Sequence, residues 1–258
     1  IWLRYSTKYQ RRHLTERRID YKNSIAISAE WDSICETRQK AIEQGKDVSL
    51  LSVTGPCILR NLKKHIPDRL IDIGCGTGYL TYKLSEIANN CIGIDISTKS
   101  IQVAQAHYKR QNLKFDCCAI EEVSDFDSYD ACVSNMVFTS TPNWLDVLSH
   151  VRNLLTIDGR IYFTIPHPCF WPQYWEYLNE PWFNYAQETF IEHDFRTSLS
   201  TSMGTTTHIH RPLSQYINGI LSSGFIIEKV EEPFPTTPIP PEYHYDYPRF
   251  LFFQCKKI

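Results

Sequence analysis

The sequence predicts an α/β fold built on a mostly parallel sheet of seven strands with helices on both faces. Two observations predict it. Short apolar runs alternate with helical stretches along the middle of the chain, and one run enters a glycine-rich turn that opens into a helix. The 258 residues suffice for one large domain. We expect residues 1–66 to form an N-terminal helical extension and cap, and residues 67–258 to form the main domain.

The pattern of apolar residues places the individual elements. Strands are predicted near 69–73, 91–96, 114–118, 129–135, 160–165, 225–231 and 249–255. Helices are predicted near 79–88, 98–110, 143–155 and 212–223. A turn at Asp158-Gly159 is expected to separate the third of these helices from the fifth strand. We expect the last two strands to pair with each other.

Composition limits the classes of partner and compartment. Lys and Arg number 27 against 29 for Asp and Glu, which argues against a general nucleic-acid binder. No stretch reaches the roughly 20 apolar residues of a membrane span. The nine cysteines form no Cys-x-x-Cys pair, which favours free thiols and a cytoplasmic location. The first 22 residues are basic but contain Glu16 and Asp20, so a solvated helix is predicted there rather than a transit peptide.

The glycine-rich turn carries the strongest chemical signal. Asp72 precedes three alternating glycines, Gly74, Gly76 and Gly78. Glycine lets a backbone pass close to a ligand, and the free amides of the following helix attract a polar or anionic group. The dinucleotide fingerprint places its third glycine three residues after the second, whereas here the interval is two. An adenosyl cofactor other than a dinucleotide is therefore predicted.

The resulting motif, Asp-x-Gly-x-Gly-x-Gly, resembles the first motif of the class I S-adenosylmethionine-dependent methyltransferases of small-molecule type. The resemblance extends over roughly residues 20–258. It implies a Rossmann-like fold, S-adenosyl-L-methionine as cofactor and S-adenosyl-L-homocysteine as product. It also implies that the acid and the three glycines of the motif contact the cofactor.

Two further strand ends are predicted to contact the cofactor. Asp95 ends the second strand, where an acid accepts hydrogen bonds from ribose hydroxyls, and Ile96 follows it. After the third strand the resemblance implies Asp-Ala for adenine, but this chain has Cys118 before Ala119. Backbone groups at 118–120 remain available for adenine, whereas the carboxylate that the family pattern places there is replaced by the thiol of Cys118.

The fourth strand and the N-terminal region complete the predicted cofactor site. The strand ends at Asn135-Met136, which resembles the family's fourth motif at the floor of the site. Asn135 is assigned to the cofactor and Met136 to the substrate, with core packing as the alternative for Met136. Tyr21 is expected near the carboxylate and methyl end of the cofactor.

Histidines supply the candidate bases. His167 directly follows the fifth strand, and an imidazole with a reference pKa near 6.5 suits proton removal. A structural role for His167 is equally open. His208 and His210 form a second candidate pair, next to Arg211. No further ligands are evident around that pair, so no metal site is predicted.

The segment at about 166–211 is rich in aromatic residues and is predicted to be a lid over the acceptor. Phe170, Trp171, Trp175 and Arg211 are its candidate substrate contacts. The aromatic rings point to a small, partly aromatic or apolar acceptor, or to a cationic amine held by cation–π contacts. They are equally compatible with a core belonging to the lid itself.

The sequence therefore predicts methyl transfer from S-adenosylmethionine to an N, O or C nucleophile of a small molecule, as in secondary metabolism. One alternative is an RNA acceptor such as tRNA, which requires a basic face beside the cleft. The other is a non-catalytic cofactor-binding domain of a larger assembly. The acceptor atom and the oligomeric state are not specified by the sequence.

Overall fold

The computed structural model describes residues 16–240, 243 and 246–258. Its helices are α1 (Ser24–Glu43), α2 (Gly55–Leu62), α3 (Tyr79–Leu84), α4 (Thr98–His107), α5 (Trp144–Leu154), α6 (Trp171–Tyr174) and α7 (Leu213–Ser222), with a π-helical segment at Ser49–Thr54. Its strands are β1 (Arg17–Ile19), β2 (Arg69–Ile73), β3 (Asn90–Asp95), β4 (Leu113–Cys117), β5 (Tyr129–Asn135), β6 (Leu155–Pro166), β7 (Thr189–Phe195), β8 (Gly204–His210), β9 (Phe225–Glu231) and β10 (Phe250–Lys257).

The main sheet has seven strands in the order β4-β3-β2-β5-β6-β10-β9. Strands β2 to β6 pair in parallel, and β10 is antiparallel to both β6 and β9. The predicted Rossmann-like α/β fold is thus confirmed, including the pairing of the last two strands. The order reverses between β2 and β5, and their carboxyl ends open a crevice where such sheets bind ligands.

Helices bury both faces of the main sheet. On one face α5 and α7 meet, and the rings of Trp144 and Tyr216 lie 5.1 Å apart. On the other face α2, α3 and α4 pack on the sheet, with Leu84 and Ala104 fully buried. Because both faces are covered, the central strands read as near-continuous apolar runs, which made them predictable.

A second, antiparallel sheet lies beyond the crevice and has the strand order β1-β7-β8. We call it the lid sheet. Its strand β1 pairs with β7, with Arg17 opposite Glu192. The helix predicted for the first 22 residues is therefore wrong at Arg17–Ile19, because the edge of β7 offers backbone partners to that segment. Residues 1–15 of that prediction lie outside the described residues.

Helix α1 joins the lid sheet to the main domain. The carboxylate of Glu30 accepts hydrogen bonds from the amide of Thr207, at 2.8 Å, and from its hydroxyl, at 3.0 Å. Lys22 forms ion pairs with both Glu30 and Glu192. These contacts tie α1 to both β7 and β8, so the N-terminal helix and the lid sheet cover the crevice together.

The turn predicted at Asp158-Gly159 is replaced by an irregular stretch inside β6. Tyr129 pairs with Leu155 and Ala131 pairs with Arg160, so β6 carries extra residues between these two pairs. A Cβ at Gly159 would lie 2.9 Å from the Cβ of Leu155, which explains why glycine occupies this bulge. Helix α5 still ends at Leu154, close to the predicted boundary.

Candidate active site

The glycine loop between β2 and α3 forms one wall of the crevice. All three of its glycines have positive φ angles, and Gly76 has a φ of +55°. A Cβ on Gly76 would lie 3.2 Å from Nη1 of Arg38. Cβ atoms on Gly74 and Gly78 would instead clash with Val137, at 2.4 Å, and with Ala104, at 2.8 Å. Gly76 therefore keeps the backbone open toward the crevice, and the other two allow close packing behind it.

Asp95 is bound to the glycine loop. Its Oδ2 accepts a hydrogen bond from the amide of Gly76 and its Oδ1 one from the amide of Ser97, each 2.8 Å long. Burial raises the pKa of Asp95, while the two amide hydrogen bonds and the nearby Arg38 oppose that rise. Each carboxylate oxygen retains acceptor capacity for a second donor from a ligand.

Asp72 lies beneath the loop. Its Oδ2 accepts a 2.7 Å hydrogen bond from the hydroxyl of Thr81 in α3, and the side chain is almost fully buried. Burial raises its pKa to about 7, and the charge of Asp95 adds to the rise. The residue therefore ties strand β2 to helix α3 under the glycine loop.

Two adjoining cavities open at this end of the sheet. The first, which we call the glycine cleft, has an empty volume of about 1100 Å³ including its open mouth. Apolar side chains from the strand ends and α5 line it beside a few polar ones, as in many ligand sites. Its lining residues include Ser24, Trp31, Arg38, Gly74, Gly76, Thr77, Asp95, Ile96, Cys118, Ala119, Glu121, Asn135, Met136, Asn143 and Val147.

The second cavity, which we call the aromatic cavity, lies under the lid sheet and has an empty volume of about 740 Å³ on the same basis. Its walls come from α1, the segment after β6, and β7 and β8. Its lining residues include Trp31, Arg38, Asp47, Asn135, Met136, Ser140, Trp171, Trp175, His193, Phe195, Arg196, Thr206, His208 and Phe250.

Asn135 and Met136 belong to the walls of both cavities. Met136 has a φ of +66°, an uncommon value for a residue other than glycine. Its amide donates a 3.0 Å hydrogen bond to the carbonyl of Thr164, which holds this backbone in place. Strained backbone of this kind clusters at ligand sites. The two residues thus mark the point where a ligand in one cavity would meet a ligand in the other.

Most of the predicted cofactor residues come together in the glycine cleft. Gly74, Gly76, Asp95, Ile96, Cys118, Ala119 and Asn135 all line it. Asp72 and Gly78 support the loop from behind. Tyr21 is 65% exposed and its ring packs on Phe190, 5.3 Å away, outside the cleft lining. Ser24 and Trp31 of α1 lie in the cleft instead.

The structure places His167 away from both cavities. Its Nε2 pairs with Glu232 at 2.9 Å, and its Nδ1 accepts a 3.2 Å hydrogen bond from the amide of Cys169. Burial lowers its pKa, although Glu232 acts in the opposite direction. With both ring nitrogens occupied, this geometry favours the structural alternative for His167. The substrate candidate Phe170 packs on the same imidazole, 4.7 Å away, and does not line the aromatic cavity.

The other two candidate bases differ in position. His208 lines the aromatic cavity, and burial lowers its pKa well below the usual value, so its imidazole is neutral at neutral pH. His210 contacts the carbonyl of Tyr185 through Nε2, at 3.0 Å, and is surrounded by aromatic rings of the lid. His208 is therefore the predicted base that faces a cavity.

The guanidinium of Arg211 is held by hydrogen bonds to other groups of the protein. Its guanidinium donates hydrogen bonds to the carboxylate of Glu188, at 2.6 Å, and to the carbonyl of Phe138, at 2.7 Å. It also donates to the carbonyl of Thr141 and lies over the ring of Trp144. The side chain is buried and outside both cavities, so it fastens the segment after β8 to the main domain. Of the predicted substrate contacts, Met136, Trp171 and Trp175 line the aromatic cavity.

Sequence reasoning missed several residues that line the cavities. Arg38 in α1 lies 3.9 Å from the buried carboxylate of Asp47 and lines both cavities. Glu121 enters the glycine cleft just after Cys118, and Asn143 donates a 3.3 Å hydrogen bond to it. His193 and Arg196 lie on or beside β7 in the aromatic cavity. Only Glu121 had a usable signal, namely its place after the third strand.

Comparison with known proteins identifies the family of the chain. A family model described as a methyltransferase domain matches residues 36–201, more than half of the chain. The chain belongs to this methyltransferase domain family. The predicted enzyme class, a class I S-adenosylmethionine-dependent methyltransferase, and its cofactor are confirmed at the level of the family.

Two relatives each align with about two fifths of the chain. The chain is 34% identical over 105 residues to malonyl-[acyl-carrier protein] O-methyltransferase of Bacillus cereus, covering 40% of this chain and 39% of that protein. It is 34% identical over 111 residues to a ubiquinone biosynthesis O-methyltransferase of Pelagibacter ubique, covering 42% of this chain and 39% of that protein. The chain thus spans about two fifths of the length of these two relatives.

Solved structures share the fold over more of the chain. An S-adenosylmethionine-dependent methyltransferase of Mesorhizobium loti aligns with a TM-score of 0.59 and 22% identity, covering 78% of this chain and 96% of that one. The 1,6-didemethyltoxoflavin-N1-methyltransferase of Burkholderia thailandensis, solved with 1,6-didemethyltoxoflavin and S-adenosylhomocysteine, has a TM-score of 0.58 and 13% identity. It covers 97% of this chain and 98% of its own.

Among the described residues, no helix has both the length and the apolar character to cross a membrane.

Proposed function

We propose that this chain transfers the methyl group of S-adenosylmethionine to an N, O or C nucleophile of a small, partly aromatic metabolite. The observation that carries the proposal is the pair of adjoining cavities. The glycine cleft has the features of a nucleoside site, and the aromatic cavity shares Asn135 and Met136 with it. A donor and an acceptor bound on either side of this shared wall would be held at close range, which is the main requirement of an in-line displacement.

The residues of the glycine cleft fit the cofactor. The hydroxyl of Thr77 and the Nε of Arg38 are buried without a hydrogen-bond partner among the described residues, although both side chains line the cleft. Buried polar atoms without a hydrogen-bond partner destabilise the folded protein unless a ligand or water forms the missing bond. The open backbone at Gly76 and the apolar strand ends complete a site for an adenosyl group with a charged tail.

We assign the proposed cofactor contacts from the chemistry of the side chains that line the glycine cleft. Asp95, already bound to the loop amides, would accept the ribose hydroxyls. Glu121 and Asn143 would face the polar edge of adenine, since Cys118 brings no carboxylate there. Arg38, a cation beside Gly76, would pair with the carboxylate of the cofactor's amino-acid tail.

Bound S-adenosylmethionine supplies an electrophilic methyl group on a good leaving group. The protein's own part is therefore alignment, exclusion of water and removal of a proton. Asn135 holds the shared wall, the lid sheet and α1 cover the aromatic cavity, and His208, which lines that cavity, is the proposed acceptor of the nucleophile's proton. A reducing, cytoplasmic location is proposed from the nine cysteines, none of which is in a disulfide.

Labelled S-adenosylmethionine, incubated with the protein and a metabolite extract, tests the proposal. We expect label in small organic products, with or without prior ribonuclease treatment. Label in RNA that disappears with ribonuclease would replace the small-molecule acceptor by RNA. Absence of measurable S-adenosylhomocysteine binding in calorimetry would overturn the enzyme assignment. Binding without label in any product would favour the non-catalytic cofactor-binding domain.

A further inference from the structure

The aromatic cavity has an asymmetric charge distribution. Two cations, Arg38 and Arg196, line it, and its single lining acid among the described residues is Asp47. Asp47 is buried, accepts a 3.0 Å hydrogen bond from the amide of Leu50, and lies 3.9 Å from Arg38. The charge of this acid is thus opposed by Arg38, and Arg196 is the other cation of the lining.

Arg196 forms no ion pair with a carboxylate of the described residues. It is exposed directly after β7, and its charge interacts with that of Glu16 without an ion pair between them. Its charge reaches into the cavity, because it helps to lower the pKa of the buried His193. An arginine presents five donors in a planar fork that matches a carboxylate.

The remaining lining is uncharged and combines aromatic rings with Ser and Thr side chains. The rings of Trp171 and Trp175 lie 5.4 Å apart, and the ring of Trp175 lies 3.9 Å from that of His193. His193 and His208 are both kept neutral by burial. This lining suits a planar ring, and the positive charge disfavours the cationic amine that aromatic side chains alone would also accept.

We propose that the acceptor is a small aromatic acid, whose ring lies among Trp171, Trp175 and Phe250 and whose carboxylate pairs with Arg196. This inference rests on the proposed function, since it names the substrate class of the same cavity. The nucleophilic group of the acid lies at the opposite end of the ring, toward Asn135 and Met136. Arg196 is thus a specificity residue rather than part of the cofactor site.

Binding of a matched pair of probes tests the charge preference without knowledge of the true substrate. With the protein saturated by S-adenosylhomocysteine, 1-naphthoate and the neutral 1-naphthamide are titrated by the quenching of tryptophan fluorescence. We expect naphthoate to bind about fivefold more tightly than naphthamide, as one partly exposed ion pair allows. Equal binding, tighter binding of the amide, or binding of neither probe overturns the inference.

Variants test whether Arg196 causes the preference for naphthoate over naphthamide. Arg196→Gln is expected to abolish the preference for naphthoate, and Arg196→Lys to retain most of it. Arg18→Gln removes the same charge from an exposed position of the lid sheet outside the cavity lining, and it should change nothing. A preference that survives Arg196→Gln contradicts the inference. Failure of the proposed function is distinguishable, because it appears as loss of S-adenosylhomocysteine binding before any probe is added.

Discussion

The hydroxyl of Thr164 donates a 2.7 Å hydrogen bond to Oδ1 of Asn135. The two residues lie on neighbouring strands, paired in register across β5 and β6. Thr164 is fully buried, whereas Asn135 reaches the wall between the glycine cleft and the aromatic cavity. A core residue therefore sets the direction of an amide at the proposed point of methyl transfer.

Thr164→Val should remove this hydrogen bond with little change in volume. We expect turnover to fall roughly threefold to tenfold, the effect of one neutral hydrogen bond, while S-adenosylhomocysteine affinity changes less. Asn135→Ala should lower turnover further, and adding Thr164→Val to it should have little additional effect, because the two residues act as one unit. Additive effects in this double-mutant cycle would contradict the coupling.

Gly76→Ala tests the close approach at the glycine loop. Its Cβ would occupy the space before Arg38, so we expect S-adenosylhomocysteine binding to weaken at least tenfold in calorimetry. Gly45→Ala is the matched control, since Gly45 has a φ of +70° and open space around its missing Cβ. Both variants should lose roughly 1–2 kcal/mol of stability from the left-handed backbone. Only Gly76→Ala should lose the ligand.

Asp95→Ala should weaken S-adenosylhomocysteine binding roughly tenfold to a hundredfold, the range for hydrogen bonds to a charged group. The loss combines the proposed ribose contact with release of the Gly76 amide. Asp116→Ala, an exposed acid on the neighbouring strand, serves as control and should bind normally. Normal affinity in Asp95→Ala would disprove the ribose assignment.

The raised pKa of Asp72, about 7, makes a prediction about stability and pH. The unfolded carboxyl ionises near 4, whereas the folded one keeps its proton until about pH 7. Ionisation therefore disfavours the folded state increasingly as pH rises from about 4 to about 7. Asp72→Asn keeps an acceptor for Thr81 and should raise the melting temperature at pH 8 by about 2–4 °C for each kcal/mol removed. The gain should shrink at pH 5, and a gain that is independent of pH would argue against this cause.

Three variants distinguish the candidate bases by their effects on turnover and on stability. His208→Gln should lower turnover about a hundredfold while leaving S-adenosylhomocysteine affinity unchanged. His167→Gln and His210→Gln should chiefly lower the melting temperature, because both imidazoles form hydrogen bonds outside the cavities. A large loss of turnover in His167→Gln, with normal stability and cofactor affinity, would restore it as the base.

Local signals made the cofactor half of the site predictable. The glycine spacing, Asp95 and the strand end at Asn135 each depend on a few neighbouring residues and on a parallel sheet that brings strand ends together. The direction of the His167 side chain depends instead on Glu232, 65 residues further along the chain. Arg38 lies within a helix of many charged residues, so nothing local distinguishes it. Strand β1 was missed because its pairing partner, β7, lies far away in sequence.

The range of the family match has a consequence for how relatives can be interpreted. It begins at residue 36, within α1, and ends at residue 201, before β8. Two of the three strands of the lid sheet therefore lie outside the region that the family shares, although one of them, β8, lines the aromatic cavity. The matched region holds the proposed donor site and part of the aromatic cavity, including Trp171, Trp175 and Arg196. Flanking sequence, which can diverge independently, supplies the rest of that cavity, namely Trp31, Thr206, Thr207, His208 and Phe250. Orthologues that use the same acceptor should therefore agree in both sets of residues, and a match to the family domain alone does not identify them.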